Sequence, residues 1–159
     1  MRPKVRPMAG NDKPAIIKML RGIPEFKPAE VDIAEEVLDS YLSDPVRSGY
    51  HAFVAEADAS IVGYICYGPT PLTEGTWDIY WLAVSPEKQS QGIGRILLTF
   101  AEDNIRKTKG RLSLIETSSK SEYESTRRFY QAQGYKPACR IADFYSPGDD
   151  KLVFQKRLS

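Results

Sequence analysis

The stretch "VSPEKQSQGIGRILL", Val84 to Leu98, decides how this chain is read. It leads from an apolar strand end through a Pro-led loop to two glycines, Gly92 and Gly94, at the start of a striped helix. The first N–H groups of a helix lack intrahelical partners and carry about half a positive charge. Glycines let a ligand approach the main chain with no Cβ in the way. A strand, a glycine loop and a helix in that order therefore suit an anion. Two phosphate-binding patterns fail. The dinucleotide fingerprint needs a glycine where Leu97 stands, and G-x-x-x-x-G-K-[ST] is absent. What remains is Q-x-x-G-x-G, from Gln89 to Gly94.

Working outward, the pattern is α/β. "KVRPMAGND" predicts a short extended segment, and Asn11 or Asp12 caps a helix through Leu20 with Pro14 in its first turn. "GIPEFKP" is a loop; Val31, Ala34, Leu38 and Tyr41 then recur at helical spacing. "YHAFVAEA", "IVGYICYG" and "TWDIYWLAV" read as a meander of strands rich in β-branched and aromatic residues. After the glycine loop, Ile93, Ile96, Leu97, Phe100, Ala101 and Ile105 stripe a helix that ends near Lys109 and Gly110. "RLSLIETS" is a further strand. Ser121 and Glu124 predict a capping box for a helix from about Glu122 to Gln133, with Gly134 as its left-handed end. Two strands follow, about Tyr135–Tyr145 and Lys151–Leu158.

Composition narrows the field. The 159 residues fit one domain spanning 1–159, and a 42% apolar, 27% charged chain is ordinary for a soluble globular protein. A net charge of +1 offers no footprint for nucleic acid or an anionic membrane. No apolar run is long enough to span a bilayer, and "MRPKVRPMAGND" lacks a signal-peptide core. Cys66, Cys139 and the single His51 cannot compose a zinc site or a disulfide framework; buried free thiols in a reducing cytoplasm are the expectation, with no metal.

"LAVSPEKQSQGIGRILL" together with "RRFYQAQGY", Arg127 to Tyr135, resembles the GNAT superfamily of N-acetyltransferases. The first piece matches the family's R/Q-x-x-G-x-G/A acetyl-CoA motif, the second its downstream aromatic–Tyr signature, and the likeness covers almost the whole chain. It implies a mixed, mostly antiparallel sheet of six to seven strands, flanked by four helices, with a splayed central strand pair holding coenzyme A. It also implies an acetyl-CoA-dependent transfer to a primary amine by direct attack in a ternary complex, in a cytoplasmic protein whose relatives are often homodimers. On this likeness, main chain of Gln91, Gly92, Ile93, Gly94 and Arg95, after Gln89, cradles the pyrophosphate, and Leu82, Ala83 and Val84 pair with the pantetheine.

Tyr130 matches the signature tyrosine and is the implied donor to the leaving thiolate, although its helical spacing equally suits plain packing. Asp78 falls where histone-type members carry their catalytic glutamate. Period-two alternation places Asp78, Tyr80, Leu82 and Val84 on one face. Asp78 as base and Asp78 as a structural hydrogen-bonding acid both stay open, and Glu116 is a second candidate base. Tyr123 stands where many relatives have an Asn that bonds the pantetheine, so it keeps a cofactor-facing place with a different contact. Arg127, with Lys120 and Arg128, is a candidate for the 3′-phosphate. Phe26, Tyr80 and Tyr145 are candidates for acceptor contact, and the last hairpin partly resembles that of ribosomal-protein and protein N-terminal acetyltransferases. Phe144 is a further candidate that packing alone would also explain. Asp149 and Asp150 could draw a cationic amine. A non-catalytic acyl-CoA sensor is the alternative reading.

Overall fold

A computed structural model describes residues 2–159. In chain order the elements are β1 (Lys4–Pro7), α1 (Lys13–Arg21), α2 (Pro28–Ser43), β2 (His51–Ala57), β3 (Ser60–Pro69) and β4 (Thr76–Val84). Then come α3 (Ile93–Lys107), β5 (Leu112–Ser118), α4 (Glu124–Ala132), β6 (Lys136–Ser146) and β7 (Asp149–Arg157). The seven strands form one sheet in the order β1-β2-β3-β4-β5-β7-β6. Every neighbouring pair is antiparallel except β4–β5. That parallel pair needs a crossover, and α3 supplies it. The β2–β3 turn closes through Asp58 and Ala59, both at positive φ, as a two-residue hairpin requires.

The sheet buries both faces. On one side Ile16, Leu20, Val31, Ala34 and Leu38 of α1 and α2 pack on Val54, Tyr64, Cys66 and Ala83. On the other, Leu97, Leu98, Ala101 and Ile105 of α3, with Tyr130 and Tyr135, pack on Ile65, Tyr67, Ile79, Ile115 and Phe154. The stripe predicted for α3 holds at Ile93, Leu97, Ala101 and Ile105, whereas Leu98 takes a core place and Ile96 and Phe100 are only half-buried. The predicted capping box does not form. Ser121–Tyr123 is a short 3-10 turn, and the cap of α4 is Tyr123, with no side-chain cap bond. Gly134 does adopt the left-handed conformation, at φ 95°.

Two features of β4 control the site. It pairs with β5 only from Thr76↔Leu112 to Ile79↔Ile115, although β4 stays on β3 to Val84 and β5 stays on β7 to Ser118. The sheet therefore opens into two arms beyond Ile79 and Ile115. The second feature is a β-bulge: Tyr67 pairs with Ile79 and Cys66 with Trp81, so Tyr80 has no partner on β3. The extra residue inverts the alternation. Trp77 and Ile79 pack on the α3 side, and so do Leu82 and Val84, while Trp81 and Ala83 pack on the α1–α2 side. Asp78 consequently lies on the opposite face from Leu82 and Val84, which corrects the shared face expected from strict period-two alternation.

The outer strand β6 is exposed along its whole length. Cys139 is exposed with it, contrary to the expected buried thiol, whereas Cys66 is fully buried. An edge strand has packing on one side only, and Lys136, Pro137 and Arg140 suit such a place. No helix among the described residues is long and apolar enough to cross a membrane.

Candidate active site

The glycine loop divides its work between the two glycines. Gly92 is the residue before α3 and sits at φ 84°, ψ 4°, where a Cβ would meet nothing within 4 Å. Its task is conformational: the left-handed turn reverses the chain so that the first N–H groups of α3 face outward. Gly94 is a matter of packing. A Cβ there would lie 3.2 Å from Phe129 Cζ and 3.7 Å from Val84 Cγ2. The loop is braced from within by Gln89, whose Nε2 donates to the Val84 carbonyl at 3.2 Å. Gln91 and Arg95 are exposed on its outer side.

Below the loop lies the opening between the arms. The β5-facing main-chain groups of β4 beyond Ile79 have no strand partner there. Such groups need a partner, and an extended molecule bearing amides would supply one. The opening and the exposed start of α3 both have main-chain groups free for an extended ligand. Asp149 and Asp150 pin the far arm. Asp149 accepts from the Ser118 hydroxyl, while Asp150 accepts from Arg140 Nε at 2.5 Å and from the Asp143 N–H at 2.8 Å. Both carboxylates are buried and engaged by groups of β5 and β6 rather than open to a cationic ligand.

A cleft of about 330 Å³ meets this opening, lined by Glu30, Asp78, Tyr80, Trp81, Glu116 and Tyr145 among others. Four elements converge here: α2 brings Glu30, the bulged strand β4 brings Asp78 and Tyr80, β5 brings Glu116, and β6 brings Tyr145. Asp78 is half-buried and accepts from the Thr70 hydroxyl at 2.6 Å. Burial pushes the Tyr80 hydroxyl up to about 12, with the Asp78 charge adding to it. Glu116 is paired with Lys151 at 3.0 Å, and that ammonium also lies 4.5 Å from the centre of the Phe144 ring. Burial likewise raises the Glu30 carboxyl, and Glu122 and Asp149 add to the shift. Among the described residues, no group of three or more His, Cys, Asp or Glu is arranged to hold a metal ion.

Tyr130 is in the core on the α3 side of the sheet, 7% exposed, against Phe129 and Tyr135. Burial alone pushes its hydroxyl up to about 12. Its ring is backed by a buried polar cluster. The Tyr135 hydroxyl bonds Glu102 at 2.9 Å and Ser113 at 2.8 Å, and Lys156 Nζ bonds Glu102 at 3.0 Å and the Gln133 carbonyl at 2.8 Å. α3, the end of α4, β5 and β7 are thereby tied together directly beneath the tyrosine.

The structure brings Asp78, Tyr80, Glu116 and Tyr145 into one cleft and leaves Phe26 outside its lining, packed against the α1–α2 core. Tyr123 turns its hydroxyl to the Glu25 carbonyl at 2.7 Å. Arg127 Nη1 is held by the carbonyls of Ser118 and Lys120, both at 2.8 Å. Thr70 and Glu30 escaped the sequence reading. Neither carries a motif: Glu30 lines the cleft from the first turn of α2, and Thr70 acts on it only through its hydrogen bond to Asp78. A second hollow, of about 590 Å³, lies between α4 and the β6–β7 hairpin, lined by Arg127, Arg128, Cys139, Arg140 and others. It contains none of the candidate acids or tyrosines.

Known proteins match this geometry. Residues 48–137 match the family model described as an acetyltransferase (GNAT) domain. An uncharacterised N-acetyltransferase of Methanocaldococcus jannaschii is 27% identical over 145 residues, covering 85% of this chain and 90% of that one. A crystal structure described as a GNAT-family acetyltransferase from Desulfovibrio desulfuricans superposes with TM-score 0.95 at 38% identity, over 99% of each chain. An aminoglycoside 6′-N-acetyltransferase complexed with coenzyme A superposes with TM-score 0.76 at 18% identity, over 98% of this chain and 97% of that one. At that identity the likeness concerns the fold. With seven strands, four helices, splayed arms and a glycine turn in the family's order, the chain belongs to the GNAT family of acetyltransferases.

Proposed function

We propose that this protein transfers an acetyl group from acetyl-CoA to the primary amine of a cationic acceptor bound in the Glu30–Asp78–Glu116 cleft. The observation that carries the reading is the opening between β4 and β5, flanked on one side by the glycine turn and on the other by an acid-lined cleft. Main chain of Gln91 to Arg95 holds the pyrophosphate, and main chain of Leu82 to Val84 pairs with the pantetheine; bound there, acetyl-CoA supplies an acetyl group activated as a thioester. Binding of coenzyme A by an aminoglycoside acetyltransferase of the same fold supports this use of the opening.

Asp78 takes the proton of the acceptor ammonium, which frees the nitrogen lone pair for attack on the thioester carbonyl. Its hydrogen bond from Thr70 fixes one carboxylate oxygen and leaves the other for that proton. Glu116 is the weaker candidate base, because Lys151 already occupies it. As the C–N bond forms and the C–S bond breaks, the sulfur takes the hydroxyl proton of Tyr130. The nitrogen gives up its second proton, which restores the Tyr130 hydroxyl, and the proton held by Asp78 passes to solvent. A hydroxyl held at about 12 stays protonated across the working range and is ready to donate. A main-chain N–H of β4 around Leu82 to Val84 donates to the developing oxyanion. Glu30, Tyr80, Trp81 and Tyr145 offer a carboxylate and aromatic faces to a positively charged amine. The carboxylates line the cleft without converging on one point, an arrangement suited to an extended cation. Free cysteines suit a reducing compartment such as the cytoplasm.

The test is thiol release from acetyl-CoA with a panel of amines. Asp78→Asn and Tyr130→Phe should each lower kcat by about 10²–10⁴-fold while leaving coenzyme A affinity within about twofold. Binding of coenzyme A with no turnover on any amine would favour a sensor instead. Unchanged rates in both variants would remove these side chains from the mechanism.

A further inference from the structure

Where β4 and β5 part, a side chain from far along the sequence joins the two arms again. Tyr123 Oη donates to the main-chain carbonyl of Glu25 at 2.7 Å, across 98 residues of sequence. Tyr123 belongs to the β5–β7 arm: it follows β5 in the turn before α4, and its N–H bonds the Lys120 carbonyl at 3.0 Å. Glu25 belongs to the other arm, because the 22–27 loop is seated on the α1–α2 core through buried Ile23 and half-buried Phe26. Next to this contact Glu30, two residues into α2, faces Glu116 and Tyr145 across the acceptor cleft.

We infer that Tyr123 is a positioning residue for the acceptor, its hydroxyl latching the 22–27 loop across the mouth of the opening and coupling cofactor occupancy to order in that loop. This deepens the acetyltransferase reading and rests on it. A chain lying between the arms fixes their separation, and that separation sets the Tyr123–Glu25 distance. Hydrogen bonds weaken steeply once the donor and acceptor part or tilt, so a fixed spacing holds the latch shut. The coupling is reciprocal: whatever orders the loop also favours the filled opening. The accepting atom is main chain, so the Glu25 side chain plays no part in the latch.

The experiment is amide hydrogen exchange on the full chain, with and without coenzyme A, for the wild type, Tyr123→Phe and Glu25→Ala. In the wild type coenzyme A should slow exchange at amides of residues 22–27 by about three- to tenfold, the range one hydrogen bond supplies. Tyr123→Phe should exchange faster there without ligand and lose the slowing. Glu25→Ala should behave as the wild type, and neither substitution should change exchange in β5 or α3 relative to the wild type under the same ligand condition. In turnover, Tyr123→Phe should raise KM for the amine about three- to tenfold, with kcat and coenzyme A affinity within about twofold. Loop exchange that ignores the hydroxyl or the ligand overturns the latch. Loss of coenzyme A affinity in step with amine KM also overturns it and makes Tyr123 a cofactor contact. If no amine is acetylated at all, the transferase reading fails, and the exchange result still decides the latch.

Discussion

Lys156→Met provides a demanding test of the packing that supports Tyr130. Glu102 is 4% exposed, and Lys156 Nζ, 3.0 Å from its Oε1, is the cation that neutralises it. The Lys156 side chain keeps 23% exposure, so part of its charge is already solvated. Breaking a buried pair from one side costs roughly 3–5 kcal/mol, because the remaining charge is left uncompensated. Allowing for that exposure, Lys156→Met should cost about 2–4 kcal/mol. At this chain length that lowers the melting temperature by about 5–12 °C. Lys156→Met combined with Glu102→Met should be more stable than Lys156→Met alone, because no unpaired charge remains. Urea unfolding of the wild type, both single variants and the double variant, with unchanged m values, measures this directly. A single-variant cost below about 1 kcal/mol, or strictly additive costs in the double, would refute the claim that the pair acts as a buried unit.

Two further outcomes follow from the same geometry. Gly92→Ala should destabilise by about 1–2 kcal/mol through left-handed strain alone and weaken coenzyme A binding, since it re-aims the α3 amides. Gly94→Ala should cost less than about 1 kcal/mol, because a tilt of the half-buried Phe129 ring absorbs the contact and helix propensity offsets the rest; the reverse order in chemical denaturation would contradict the division of roles. The second concerns alkaline pH. The Tyr130 hydroxyl has an ordinary value of 10 and is held at about 12 in the fold, so its contribution is intact below 10 and is lost as pH rises toward 12. Stability should therefore fall more steeply between pH 9.5 and 11.5 in the wild type than in Tyr130→Phe; parallel curves would exclude the burial argument.

Much of the fold is legible wherever one residue type has one physical meaning. Gly134 marks a left-handed helix end, Leu97 and Ile105 mark a buried helix face, and the β-branched runs mark strands, whereas the left-handed turn at Gly92 emerges only in the structure. The glycine loop pointed to an anion site, and the tyrosines and acids of the later strands pointed to the cleft. What strand periodicity could not reveal was the bulge at Tyr80, since an inserted residue inverts the faces without changing the composition. Thr70, Glu30 and the Tyr123–Glu25 bond were hidden for a related reason. Each depends on how distant segments meet, and no local pattern encodes that meeting. The Ser121–Glu124 spacing misled because the turn there is 3-10, with Tyr123 in the cap position.

The most direct test of the central claim is an amide chemical-shift titration of the labelled protein with coenzyme A. Coenzyme A bound in the β4–β5 opening should produce its largest changes on Leu82 to Val84 and Gln91 to Arg95, with smaller ones near Tyr130. Changes confined to the hollow between α4 and the β6–β7 hairpin, around Gln131, Cys139 and Arg140, would contradict it.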